Sequence, residues 1–195
     1  MERILINDDI LKYTQKYEQA FRRYQLDVPT RLRNIASKLD KHNDKNKLSP
    51  DELEQYKNYV EEIANDYDNE EDETKNLLVL QPQHFQEYID KYERFDVELD
   101  KELFYHEQGG GKKTGPKKKK FWKLIVDAMH YESKVRPIMV PIIEEMGIRT
   151  CVYCNMQYAL TIDHSKGLYE LDHRFPKSKY PYLCTTFYNL QPSCP

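Results

Sequence analysis

The residues of this 195-residue chain best suited to chemistry lie after Gly147. Cys151 and Cys154 stand two residues apart in CVYC, a spacing that lets both thiolates face one metal ion from a tight turn. A redox pair of the thioredoxin type competes with that reading, but it needs a strand before the pair and a helix after it. The stretch after this pair, QYALTID, has a strand pattern instead. Cys194, in PSCP, is the third candidate ligand for a structural zinc ion. Zinc-ribbon arithmetic asks for a second Cys-x-x-Cys, whose last sulfur would fall at position 197, past the end of this sequence. Cys184 and His164 are weaker candidates for a fourth ligand: a small buried thiol suits the apolar YPYLCTTFYNL, and an exposed histidine suits the turn DHSKG.

Asp172 and His173 sit side by side in ELDHRFPKSKYP. A strand sends neighbouring side chains to opposite faces, so the two serve one site only if the strand ends there and the prolines turn the chain. An acid and an imidazole can divide the work of phosphodiester hydrolysis, one holding a hard cation and the other taking a proton from water. Cys-x-x-Cys, then Leu-Asp-His-x-x-Pro-Lys-Ser, then Asn-Leu-x-Pro-x-Cys resembles the HNH endonucleases with a zinc-bound ββα-metal fold. The resemblance covers residues 150 to 195 and says nothing of residues 1 to 120. It implies that His173 is the general base, that Asp172 binds the catalytic Mg²⁺ or Mn²⁺, and that Asn189 braces the loop and orients the histidine. It further implies that the cysteines hold zinc, and that a last metal ligand belongs on a helix beyond the sequence. The expectation is therefore the N-terminal part of a longer gene product. Arg174, Lys177 and Lys179 would lie along a nucleic-acid backbone. Tyr180, Tyr182, Phe187 and Tyr188 could stack on bases, but a small zinc module needs aromatics for its core, and core is the favoured reading.

The elements that must position these groups read as mainly α. Helical spacings predict helices over about 8 to 25, from a Thr30 cap to Lys41, and from Pro50 to about Tyr67, the last opened by a Ser49/Glu52 capping box. Another starts near Pro82. A further helix from Phe121 to about Met146 should break or kink near Pro137 and Pro141. The sequence thus divides into an acidic N-terminal helical bundle (1–107), a basic Gly/Lys-rich linker (108–120), and a connecting helix with an HNH-like module (121–195). QYALTID and LYELDH are expected to form a hairpin with His173 at its exit, and NLQPSC a helix start.

Charge shows the same division: residues 1–107 carry 16 Lys and Arg against 26 Asp and Glu, residues 108–195 carry 14 against 7. The polyanion-facing half is the C-terminal one, with Lys117, Lys118, Lys119 and Lys120 as a phosphate-contacting arm or a merely solvated joint. GGGKKTG misses the spacing of a Walker loop, which argues against an ATP site. With 32% charged residues, a mean hydropathy of -0.89 and no secretory leader pattern, the sequence predicts a cytoplasmic protein without a membrane span. The function expected is metal-dependent cleavage of nucleic acid, DNA first, in bacterial defence or a mobile element, with a protein partner on the acidic bundle. The alternatives are a non-catalytic zinc-stabilised nucleic-acid-binding or scaffold protein, and an inactive nuclease fragment.

Overall fold

A computed structural model of the chain describes residues 8–24, 27–67, 75–105, 117–163 and 166–194. The fold is mainly helical. Among the described residues the elements are helices α1 (Asp8–Arg23), α2 (Val28–Lys41), α3 (Asn43–Asn46), α4 (Pro50–Tyr67), α5 (Phe85–Tyr92), α6 (Phe121–Ala128) and α7 (Arg136–Glu145), with three two-stranded antiparallel ribbons. Among the described residues, no helix is long and apolar enough to cross a membrane.

Local chemistry sets the helix ends. Ser49 and Glu52 form the expected capping box, with Ser49 N donating to Glu52 Oε2 (2.8 Å) and Glu52 N to Ser49 Oγ (3.2 Å). The cap of α2 is Asp27 rather than Thr30: its Oδ1 accepts from Thr30 N at 3.2 Å, and Pro29 takes the first turn, where its missing N–H costs nothing. The expected break in the 121–146 helix comes earlier than the prolines. Helix α6 ends at Ala128, His130 adopts left-handed backbone (φ +59°), and a π turn over Tyr131–Val135 leads into α7. Pro137 then lies in the first turn of α7, where proline is tolerated, while Pro141 is carried inside the helix.

The lysine run is no loose joint over its last four residues. Lys117–Lys120 form β2, paired antiparallel with β1 (Glu102–Tyr105). Strand β1 buries Leu103 and Tyr105, and Lys118 and Lys119 lay their stems across the Phe104 and Tyr105 rings. Residues 108–116 of the expected linker lie outside the described residues.

The apolar core also runs across the expected divisions at residues 107 and 121. Tyr17 of α1 is fully buried and donates its hydroxyl to Thr185 O (2.7 Å), Thr186 Oγ1 donates to Leu77 O (2.7 Å), and Tyr182 stacks on Tyr92 with centroids 4.0 Å apart. The segment around residues 181–187 is thus wedged into the helices, which gives Tyr182 and Phe187 to the core. The same Tyr92 is held by Asp66, which is buried at the end of α4 and accepts from Lys91 Nζ (2.7 and 2.8 Å) and Tyr92 OH (2.7 Å). Replacing it by alanine leaves the Tyr92 hydroxyl without its acceptor, so Asp66→Ala should cost about 2–3 kcal/mol in urea unfolding. A cost under about 0.5 kcal/mol would show the network to be dispensable.

Candidate metal and base site

A knuckle carries the first two cysteines. Cys151 N donates to Gln157 O (2.9 Å) and Asn155 N to Cys151 O (2.9 Å), and Asn155 closes the turn in left-handed backbone (φ +52°). Val152 N reaches Pro192 O at 3.3 Å, which ties the knuckle to strand β6 (Leu190–Ser193) and brings Cys194 to it. The ligand atoms of Cys151, Cys154 and Cys194 lie within 4.8 Å of one another. Three soft donors so gathered fit a thiophilic ion such as zinc. Cys184 stays apart: it is fully buried with its Sγ 3.7 Å from Met129 Sδ, and burial pushes its thiol far up. His164 lies outside the described residues.

The thiols share their protons unequally. Amide hydrogen bonds from Cys154 and Cys194 bring Cys151 down to about 6, while donation to the Cys151 thiolate, with burial second, holds Cys194 up at about 11. The two titrate as a pair. Because Cys151 is depressed, the thiolate that welcomes a metal is present above about pH 6 and is lost as pH falls through that value. Zinc added to the reduced protein at pH 7 should raise the melting temperature by about 5–10 °C, reversed by a chelator and absent in Cys151→Ser. The gain should fade below pH 6. An equal rise in Cys151→Ser would place the ion elsewhere.

Strand β5 (Glu170–His173) pairs antiparallel with β6, from Glu170 opposite Ser193 to His173 opposite Leu190. The expected partner, the stretch before residue 164, closes a short ribbon, β3 (Thr161–Asp163) with β4 (Lys166–Gly167), and meets LYELDH only at its start, where Leu168 N donates to Leu160 O (2.7 Å). NLQPSC is likewise a strand entered through a 3-10 turn at Phe187–Asn189, not a helix start: Pro192 has no N–H to give a helix, but its carbonyl serves the knuckle. Residues 174–189 therefore form one long loop between paired strand ends.

Asn189 spans the base of that loop. It is fully buried; its Oδ1 accepts from Phe175 N (2.7 Å), and its Nδ2 donates to Phe175 O (3.1 Å) and Leu183 O (2.9 Å). Arg174 N donates to Asn189 O at 3.0 Å. The loop so fixed presents Cys184 O to His173 Nε2 at 3.0 Å, leaving Nδ1 as the nitrogen with a lone pair when Nε2 carries the proton. The imidazole is half-buried against the Tyr131 ring (centroids 4.7 Å), and burial, then the charge of Lys177, holds its pKa below the ordinary value.

Asp172 points the other way along the pleat, exposed, and its Oδ2 accepts from Tyr153 OH in the cysteine knuckle (2.9 Å). It offers one carboxylate. Magnesium is commonly held by one or two carboxylates together with waters and substrate phosphates, so Asp172 is a partial donor set for such an ion.

The basic residues are less available than their sequence suggests. Lys177 pairs with Glu132 (2.8 Å) over the Tyr131 ring, Lys119 pairs with Asp127, and Lys120 with Asp100 (2.8 Å). Lys118 lies over Phe104, Lys179 over Tyr180 and the exposed Arg174 over Phe175, while Lys117 is placed only by its backbone pairing with Tyr105. Tyr131 and Tyr153, the aromatic partners of His173 and Asp172, carry no sequence signal beyond the abundance of tyrosine; they are found only by packing. Comparison with family models, with curated proteins and with solved structures finds no match to this chain.

Proposed function

We propose that this chain is a metal-dependent endonuclease of the HNH type, with His173 as general base and a structural zinc at Cys151, Cys154 and Cys194. One observation carries the reading. A histidine ends a strand, one of its ring nitrogens is held by a carbonyl of the adjoining loop, and the loop is pinned by a buried asparagine at the start of the return strand. Such an arrangement fixes the tautomer and leaves a neutral nitrogen poised to take a proton from water. A divalent cation at Asp172, when bound, would offset charge on the phosphate and the leaving oxygen. Nucleic acid, DNA first, is the substrate class, and the exposed Arg174 is the residue best placed beside His173 to meet its backbone.

The test is nicking of supercoiled plasmid by the purified chain in Mg²⁺ or Mn²⁺, with His173→Ala beside it. Cleavage that requires both the metal and His173 supports the reading; cleavage indifferent to His173 overturns it. A second reading, a zinc-stabilised nucleic-acid-binding module without catalysis, is favoured by the engagement of Asp172 with Tyr153 and its alternation away from His173. Plasmid retained in a gel shift without nicking would select it.

A further inference from the structure

Helix α2 and the corner between α6 and α7 enclose a cavity of about 380 Å³, remote in role from the cysteine and histidine groups. That size falls within the roughly 300–1,000 Å³ of small-molecule pockets. Its floor is apolar, built from the buried Ile35 and Leu39 of α2, Leu124 and Ala128 of α6, and Tyr105 at the end of β1. Three groups able to carry positive charge share its wall: Arg31 and Lys38, two turns apart on one face of α2, and His130 at the left-handed corner. The two acids on the wall are engaged elsewhere, Asp127 with Lys119 and Glu132 with Lys177. Among the described residues, Arg31 reaches only the Asp127 carbonyl (3.3 Å), which leaves its charge uncompensated there.

We propose that this cleft binds a phosphomonoester carried on a flat, apolar-faced body, the chemistry of a free mononucleotide or of the phosphorylated end of a nucleic-acid strand. A guanidinium fork with an ammonium and an imidazole beside it matches the several oxygens of a phosphate, and the aliphatic floor of Ile35, Leu39, Leu124 and Ala128 accepts the apolar face of the body that carries it. The cations also disfavour one another: Lys38 is held below its ordinary pKa by burial and then by Arg31, and His130 by burial, Arg31 and Lys134. A dianion among them relieves that repulsion. His130 lines this wall from left-handed backbone, a conformation uncommon for a residue with a side chain. This inference is independent of the nuclease reading, and its test involves no cleavage.

The experiment is calorimetric titration of the full chain with AMP, adenosine and inorganic phosphate. AMP should bind one per chain at least about tenfold more tightly than either of the other two. Arg31→Gln and Lys38→Gln, both at the cavity wall and outside the core, should each weaken AMP about tenfold with an unchanged melting temperature; His130→Asn, which tolerates left-handed backbone, should weaken it less. A 5′-phosphorylated oligonucleotide displaced by AMP would identify a strand end as the ligand, and AMP binding without such displacement would identify the free nucleotide. No AMP binding at millimolar concentration, adenosine binding as tightly as AMP, or affinity untouched by Arg31→Gln and Lys38→Gln would overturn the proposal.

Discussion

His173→Ala should reduce plasmid nicking by about 10²–10⁴-fold, the range spanned by a positioned general base, while leaving zinc-dependent melting in place. The expectation rests on the ring's surroundings. Nε2 is committed to Cys184 O, so the remaining nitrogen has one available role, and a half-buried imidazole below its ordinary pKa is neutral at pH 7. The pH profile carries the same information with its sign fixed. Burial lowers the pKa of His173, so the rate should fall to half its plateau only below pH 6.5, the ordinary histidine value. A rate already halved at pH 7 would assign the limiting proton to another group. His173→Gln, which retains polarity and approximate volume, guards against a folding artefact: it should be as inactive as the alanine variant and melt like the native chain. Native rates in both would remove His173 from the chemistry.

The features legible in the sequence were those that depend on neighbours along the chain. The Ser49/Glu52 box, the extent of α4 and the knuckle spacing of Cys151 and Cys154 are all settled within a few residues, and each came out as expected. The misplaced features depend on distant partners. Lys117–Lys120 look like a solvated joint until β1 supplies a strand for them to pair with and aromatic rings beneath Lys118 and Lys119. LYELDH fits a hairpin with the preceding stretch equally well until Leu190–Ser193 competes for the same edge. The core is continuous because Tyr17, Leu77 and Tyr92 receive residues about 90 to 170 positions later, a pairing that no local pattern encodes. The candidate base and its brace were legible as residue types; their hydrogen-bond partners, which are backbone carbonyls, were not, because any residue supplies a carbonyl.

Asn189→Ala should be the most destabilising single change in the C-terminal region, at about 3–5 kcal/mol or roughly a 10 °C fall in melting temperature. The side chain is fully buried and makes three hydrogen bonds across the base of the loop. Its removal strands the Phe175 amide and carbonyl and leaves the Leu183 carbonyl with the Thr186 amide (3.2 Å) as its remaining donor, and each stranded buried group costs about 1–3 kcal/mol, partly recovered as the loop relaxes. Asn189→Asp separates hydrogen bonding from mere filling of space. The aspartate keeps an acceptor for Phe175 N–H but turns lone pairs toward two carbonyl oxygens, so it should be at least as destabilising as alanine despite its near-identical shape. The same loop delivers Cys184 O to His173, and a loosened loop frees the imidazole to rotate. Either Asn189 variant, assayed well below its melting temperature, should therefore also lose about tenfold or more of any His173-dependent cleavage. An Asn189→Asp protein that melts and cleaves like the native chain would show that the asparagine fills space without bracing the loop.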